Sequence, residues 1–194
     1  MKAKFLILFL FAASMVFSQK REKVYFQSEF FDGYYSEIKE QPLVVNYRVK
    51  NCDYGYSRRG LKFFKNDSIH TADDNDYYKN VWDKGHMVPA ASNNCTKKSI
   101  RQTFSYLNCA LQYDELNRGV WRYLEEWERE LAMVYDIDVT VVVEFKTNQV
   151  LKTGATIPSG FFKYIYIVGE DITYSFYFPN TKPASLDFNY YKID

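Results

Sequence analysis

Asp114-Glu-Leu116-Asn117-Arg118-Gly119-Val120-Trp121-Arg122-Tyr-Leu124-Glu125-Glu126-Trp127-Glu-Arg129-Glu-Leu131-Ala-Met-Val134 is the stretch on which the fold turns. Its apolar residues recur at Leu116, Val120, Leu124, Trp127, Leu131 and Val134, in steps of four or three, which is the spacing of one helix face. Asp114 suits the N-cap, and Glu125 with Arg129 forms an i,i+4 pair. On either side the period changes to two. Residues 42–49 (PLVVNYRV) alternate ahead of the helix; residues 138–145 (DVTVVVEF), 161–168 (FFKYIYIV) and 172–178 (ITYSFYF) read as strands behind it. Strands, a helix and more strands make an α+β layout.

The remaining segments carry weaker signals. Residues 19–40 are polar and acidic-aromatic and read as a loosely attached arm. Residues 51–79, rich in Asn, Asp, Gly, Ser and Lys, read as a long surface excursion with a turn-like centre at 71–76 (TADDND). Residues 81–91 open on a short strand and contain Asp83-Lys84-Gly85-His86. A short helix is expected over 97–104 and a strand over 104–108 (FSYLN).

Composition bounds what the chain can do. Its 194 residues suit one domain, and 18 Tyr and 16 Phe favour pleated, half-buried surfaces. Eight Gly and five Pro are too few for a low-complexity chain, and no apolar run reaches the length of a spanning helix. Lys2 and Lys4 ahead of an apolar run from Phe5 to Phe17, with Val16 and Ser18 before Gln19, have the pattern of a secretory signal peptide. The expected organisation is therefore a leader over 1–18, an arm over 19–41 and one domain over 42–194. It implies export to the periplasm or medium and a mature form that does not span a membrane.

Without the leader the chain has 23 basic against 24 acidic residues, which excludes a globally basic nucleic-acid binder. The charge is uneven, though. Residues 48–101 hold 11 Lys or Arg against six acids, and residues 102–145 three against nine, so a local basic face is available for a polyanion. Cys52, Cys95 and Cys109 allow one disulfide and one free thiol, with the pairing open, and they lack zinc-ligand spacing. Of the two histidines, His86 follows a strand-like segment and suits proton transfer; His70 reads as structural. Asn117, near the helix start, is a conceivable ligand for Mg²⁺, an ion that keeps most of its waters. Taken alone it reads better as a capping-region amide.

These pieces fall into a known order. Trp82-Asp83-Lys84-Gly85-His86-Met87-Val88-Pro89-Ala90 resembles the D-R-G-H motif of the DNA/RNA non-specific endonucleases, a family of the ββα-metal, or His-Me finger, superfamily. Asn108-Cys-Ala-Leu-Gln112, Asn117-Arg118-Gly119-Val120-Trp121 and Leu124-Glu125 resemble the family's second block. Phe64-Lys-Asn-Asp67-Ser-Ile-His70, Lys152-Thr-Gly154, Ile157-Pro158 and Phe162-Lys163 are similar to its flanking regions. Lys84 stands where the family has Arg, and Cys109-Ala110-Leu111 replaces a polar-Pro stretch.

The resemblance implies a ββα-metal fold with a mixed or antiparallel sheet, and a sugar-non-specific endonuclease acting on DNA, RNA or both. It implies His86 as general base, Asn117 as the direct Mg²⁺ ligand (Mn²⁺ substituting) and Glu125 holding a metal-bound water. Asn108 would orient the site, and Asp83 would support the loop. Arg59 would clamp the phosphate, with Arg58 the alternative, and Lys84, Arg118 and Arg122 would contact flanking phosphates. The competing expectation is a nucleic-acid-binding module of the same fold without turnover. No inhibitor partner can be named from the sequence.

Overall fold

The computed structural model describes residues 19–50, 52 and 55–194, so the leader expected over 1–18 lies outside the described residues. Alternation along the chain builds a seven-stranded antiparallel sheet in the order β1-β2-β3-β6-β7-β8-β9. Its strands are β1 (Val24–Gln27), β2 (Phe31–Ser36), β3 (Gln41–Arg48), β6 (Ile137–Glu144), β7 (Gly160–Ile167), β8 (Ile172–Pro179) and β9 (Lys192–Ile193). In β6 the odd positions Ile137, Val139, Val141 and Val143 are buried while their neighbours are half-exposed, as period two requires. A separate hairpin-like pair, β4 (Trp82–His86) and β5 (Cys109–Tyr113), runs antiparallel with Gly85 opposite Ala110 and His86 opposite Cys109. At Gly85 a Cβ would stand 2.4 Å from the Gln112 side chain, so the glycine permits the close pairing that carries His86.

The helical stretch lies across the inner face of the large sheet, but not as one straight helix. It comprises α2 (Asp114–Leu116), a π-type segment over Asn117–Trp121 and α3 (Arg122–Leu131), with a break at Gly119 (φ −100°, ψ −116°). Leu116, Val120, Trp121 and Leu124 are fully buried; Trp121 meets Phe161 and Phe178 edge-on at 5.5 and 5.4 Å. Each large side chain buried this way contributes roughly 1.5–3 kcal/mol. Val134, expected on the same face, is exposed because the helix ends at Leu131. Tyr113 rather than Asp114 is the N-cap residue, and Asp114 instead accepts from the Glu115 amide at 2.7 Å. The i,i+4 ion pair on this helix joins Arg122 to Glu126, not Glu125 to Arg129.

Two further expectations change. Residues 19–40 are no loose arm. β1 and β2 extend the sheet, with Phe26, Phe31 and Tyr35 in the core, and Arg21 and Lys20 are tied to Glu37 and Glu40. Residues 104–108 are not a strand, because Tyr106–Asn108 forms a 3₁₀ turn feeding β5 after the short helix α1 (Lys97–Thr103). The described residues of the excursion, 52 and 55–79, are largely irregular as expected, with one 3₁₀ turn at Asp74–Tyr77 capped by Asp73.

Cys52 and Cys95 form a disulfide, and Cys109 is free and buried, its thiol pushed up to about 12 by burial. The bridge closes a loop across a sequence separation of 43 residues, from the start of the excursion to the threshold of α1. Replacing both partners (Cys52→Ser with Cys95→Ser) should lower unfolding stability by about 2–4 kcal/mol, chiefly by freeing the unfolded chain. Urea denaturation measures this. A midpoint unchanged from the oxidised wild type would show that the excursion is held without the bridge.

Candidate active site

β4, the excursion and the helical segment enclose an open cavity of about 870 Å³. Nine of the ten sequence-designated residues line it: Asp83, Lys84 and His86 from β4, Arg58 and Arg59 from the excursion, and Asn117, Arg118, Arg122 and Glu125 from the helical segment. The tenth, Asn108, is fully buried behind the wall. Its Oδ1 accepts from Val88 N at 2.8 Å, its Nδ2 donates to the Val88 and Thr103 carbonyls, and its own carbonyl accepts from Met87 N. It therefore fixes the backbone leaving His86 and is a positioning residue, without reach into the cavity.

The His86 ring lies 5.0 Å from the Phe63 ring and 4.9 Å from that of Phe104, and its Nε2 is buried without a hydrogen-bond partner. Burial among these rings pushes its pKa down to about 4. The positive charge of Arg58 pushes the same way, and the Lys84 backbone carbonyl partly opposes both. His86 is therefore neutral at pH 7, the form that can accept a proton. Between the two candidate arginines, it is Arg58 whose charge bears on His86. Both arginines sit in a tight turn closed by Leu61 N donating to the Arg58 carbonyl.

On the helical wall, Asp83 organises two side chains at once. Its Oδ2 accepts from Asn117 Nδ2 at 2.9 Å and from Arg118 Nε at 2.7 Å, while Oδ1 accepts a second Arg118 N–H. With the Asn117 amide nitrogen so engaged, its Oδ1 remains as a hard oxygen donor. Glu125, on the same wall, is pushed up to about 7, burial outweighing the pull of Lys163 and Arg129. Among the described residues no cluster of three or more His, Cys, Asp or Glu is arranged to hold a metal. An Asn oxygen with a nearby carboxylate is a donor set suited to a divalent cation that keeps most of its waters.

Some designated residues are less free than the sequence implies. Lys84 is paired with Asp74, whose carboxylate also accepts from the Tyr106 hydroxyl, and its ammonium stands over the Phe63, Tyr77 and Tyr106 rings at 5.3–5.6 Å. It clips the excursion to β4. Arg118 and Arg122 lie exposed on the rim, paired with Asp83 and Glu126. His70 pairs with Glu40 at 2.8 Å, away from the cavity, in keeping with a structural role. The sequence reading missed the Phe63 and Phe104 walls, Asp74 as partner of Lys84, and Tyr56 at the mouth. The acidic TADDND run facing a lone Lys was the available signal for Asp74.

Known proteins agree with this architecture. A solved structure of an EndoG/EndoGI complex superposes with a TM-score of 0.75 at 20% identity, covering 88% of this chain and 80% of that one, which identifies the ββα-metal nuclease fold. Nuclease EXOG of Danio rerio is 37% identical over 89 residues, 44% of this chain and 26% of its own length. Endonuclease G of Homo sapiens is 35% identical over 81 residues, 40% of this chain and 27% of its own. The match thus spans about a quarter of the length of these relatives. Both are mitochondrial proteins, which overturns the export expected from the leader pattern. The family model described as DNA/RNA non-specific endonuclease matches residues 12–193, nearly the whole chain, and the protein belongs to that family.

Proposed function

We propose that the chain is a metal-dependent endonuclease that hydrolyses phosphodiester bonds of DNA, RNA or both, with His86 as general base. The observation that carries this reading is a neutral His86 with a buried, unpartnered Nε2, lining the same cavity as Asn117 and Arg58. His86 Nε2 takes the proton of an attacking water as its oxygen bonds to phosphorus, and the bridging ester oxygen departs on the opposite side. Arg58, better placed toward His86 than Arg59, donates to the non-bridging oxygens as charge gathers on them. Asp83 keeps the Asn117 amide in one orientation, and Asn108 keeps the His86 backbone in register. Mg²⁺, with Mn²⁺ as substitute, would be held through Asn117 Oδ1 with Glu125 anchoring its hydration, and when bound it supplies a Lewis acid for the phosphate and the leaving oxygen.

The test is cleavage of plasmid and RNA with Mg²⁺ or excess chelator. Chelation should abolish cleavage and the metal restore it. His86→Ala should slow hydrolysis by about 10²–10⁴-fold with the fold intact by circular dichroism. Asn117→Ala should instead raise the metal concentration needed for half-maximal rate. Robust cleavage in chelator, or near wild-type turnover by His86→Ala, overturns the reading. Nucleic-acid binding with no cleavage under any of these conditions returns the chain to a binding module.

Titration offers a check independent of turnover. Folding lowers the pKa of His86 from 6.5 to about 4, so between those pH values the unfolded chain takes up a proton that the folded chain refuses. This group costs stability as pH falls. Glu125 runs the other way, because its folded carboxyl, raised from 4.5 to about 7, binds a proton first and adds stability over nearly the same window. In metal-free buffer, going from pH 7 to 4.5, His86→Gln should gain stability relative to wild type and Glu125→Gln should lose it. Urea midpoints measured at both pH values decide it. Parallel pH dependence in all three proteins would refute these environments.

A further inference from the structure

At the cavity mouth the disulfide-tethered end of the excursion presents the ring of Tyr56 to solvent. Tyr56 is 44% exposed, lines the same cavity as His86 and Arg58, and among the described residues no aromatic ring lies against it. By contrast, the other rings of the cavity are engaged: Phe63 and Phe104 pack on His86, and Phe63 also faces Lys84 and Tyr106. Yet the backbone under Tyr56 is firmly held. Tyr56 N donates to the Asn94 carbonyl at 2.8 Å, Gly55 lies so flat on Asn94 that a Cβ would come within 2.2 Å of its amide, and the Cys52–Cys95 bridge joins the two segments on the N-terminal side. Beyond it, Ser57 Oγ accepts from Arg59 N and the turn at 58–61 fixes the two arginines.

An exposed ring on a tethered backbone, two residues from a guanidinium that faces the base, is the arrangement a stacked nucleobase needs. The guanidinium holds the phosphate, and the ring covers the base of an adjacent nucleotide. Every base has a π-face, so such a contact adds affinity without reading sequence or sugar. It also requires that the base be free. In a duplex both faces are covered by neighbouring pairs, and exposing one costs a few kcal/mol of unstacking. We propose that Tyr56 is a nucleobase-stacking residue that makes unpaired strands the preferred substrate of this site. This inference rests on the phosphodiesterase reading for the position of the phosphate, but its binding readout does not need turnover.

The test uses the whole chain with three short labelled oligonucleotides: single-stranded, hairpin duplex, and a single strand carrying abasic sites. Binding is followed by fluorescence anisotropy in chelator and cleavage with Mg²⁺. Tyr56→Ala should weaken binding of the base-bearing single strand and raise its KM by about 5- to 150-fold with kcat unchanged, the range of one lost base–aromatic stack. Tyr56→Phe should stay within about twofold of wild type, since the ring is what stacks. Wild type and Tyr56→Ala should bind the abasic strand equally, a result that a merely structural role for Tyr56 would not produce. Equal losses on base-bearing and abasic strands, or no loss on either, overturn the proposal. If wild type discriminates the strands in chelator but cleaves none with metal, the hydrolase reading fails and the stacking contact stands. If it cleaves and Tyr56→Ala matches it, only the stacking contact fails.

Discussion

A buried ion pair holds the helical wall to the sheet. Lys163 projects from the inner face of β7, among Phe161, Ile165 and Ile167, and meets Glu128 of α3 at 2.6 Å with both side chains fully excluded from water. The second Glu128 oxygen accepts from the Tyr47 hydroxyl of β3 at 2.8 Å, and the ammonium stands 4.2 Å from the Trp121 ring centroid. Two charges in such a place are costly to desolvate, and removing one partner would leave the other buried at a cost of about 3–5 kcal/mol. Only one register of α3 on the sheet satisfies them. That register places Glu125, three residues back and so on the same side of the helix one turn earlier, at the cavity wall, and it anchors the segment on which Asn117 sits.

The opposite wall is joined by amides instead of charges. β4 and β5 pair only with one another, so the outer backbone of β5 needs other partners. Gln41 Oε1 accepts from Leu111 N, Asn180 Nδ2 donates to the Leu111 carbonyl, and Asn180 Oδ1 accepts from Tyr113 N. Asn108 does the same for Val88 beyond His86. These fully satisfied bonds set the hairpin at the edge of the core without making it a strand of the large sheet. His86 thereby stands at a junction of two rigid bodies, where a cavity can exist between well-packed layers.

How much of this was legible depends on whether a residue's partner is near in sequence. The three strands after the helix were readable because alternation is local, and the D-K-G-H and N-R-G-V-W blocks carried the family because their spacing is local too. The segment 19–40 misled because its outward positions are polar, although Phe26, Phe31 and Tyr35 mark the buried face at a pitch that the turn at 28–31 interrupts. For Asn108 the resemblance implied only an orienting role, and which groups it orients, the Val88 and Thr103 backbone, depends on contacts that leave no mark in the sequence. Lys84 looked free for phosphate because Asp74, ten residues away across an irregular excursion, leaves no periodic trace.

The charge around the cavity is unevenly placed although the chain's composition is nearly balanced. Arg118, Arg122 and Lys84 each meet a carboxylate, so their fields are largely cancelled beyond a few ångströms. Arg58 and Arg59 have no carboxylate partner among the described residues, and they stand opposite that neutralised wall. The potential is thus concentrated on the excursion side, and the guanidinium that adds to burial in depressing the His86 pKa is exposed to solvent. On the proposed hydrolase reading, a phosphate arriving there would offset the positive charge of Arg58, and the His86 pKa would rise toward the value that burial alone leaves. Burial is the larger of the two effects that keep His86 neutral, and Arg58, on a tethered loop beside the imidazole, supplies the one that a bound anion would relieve.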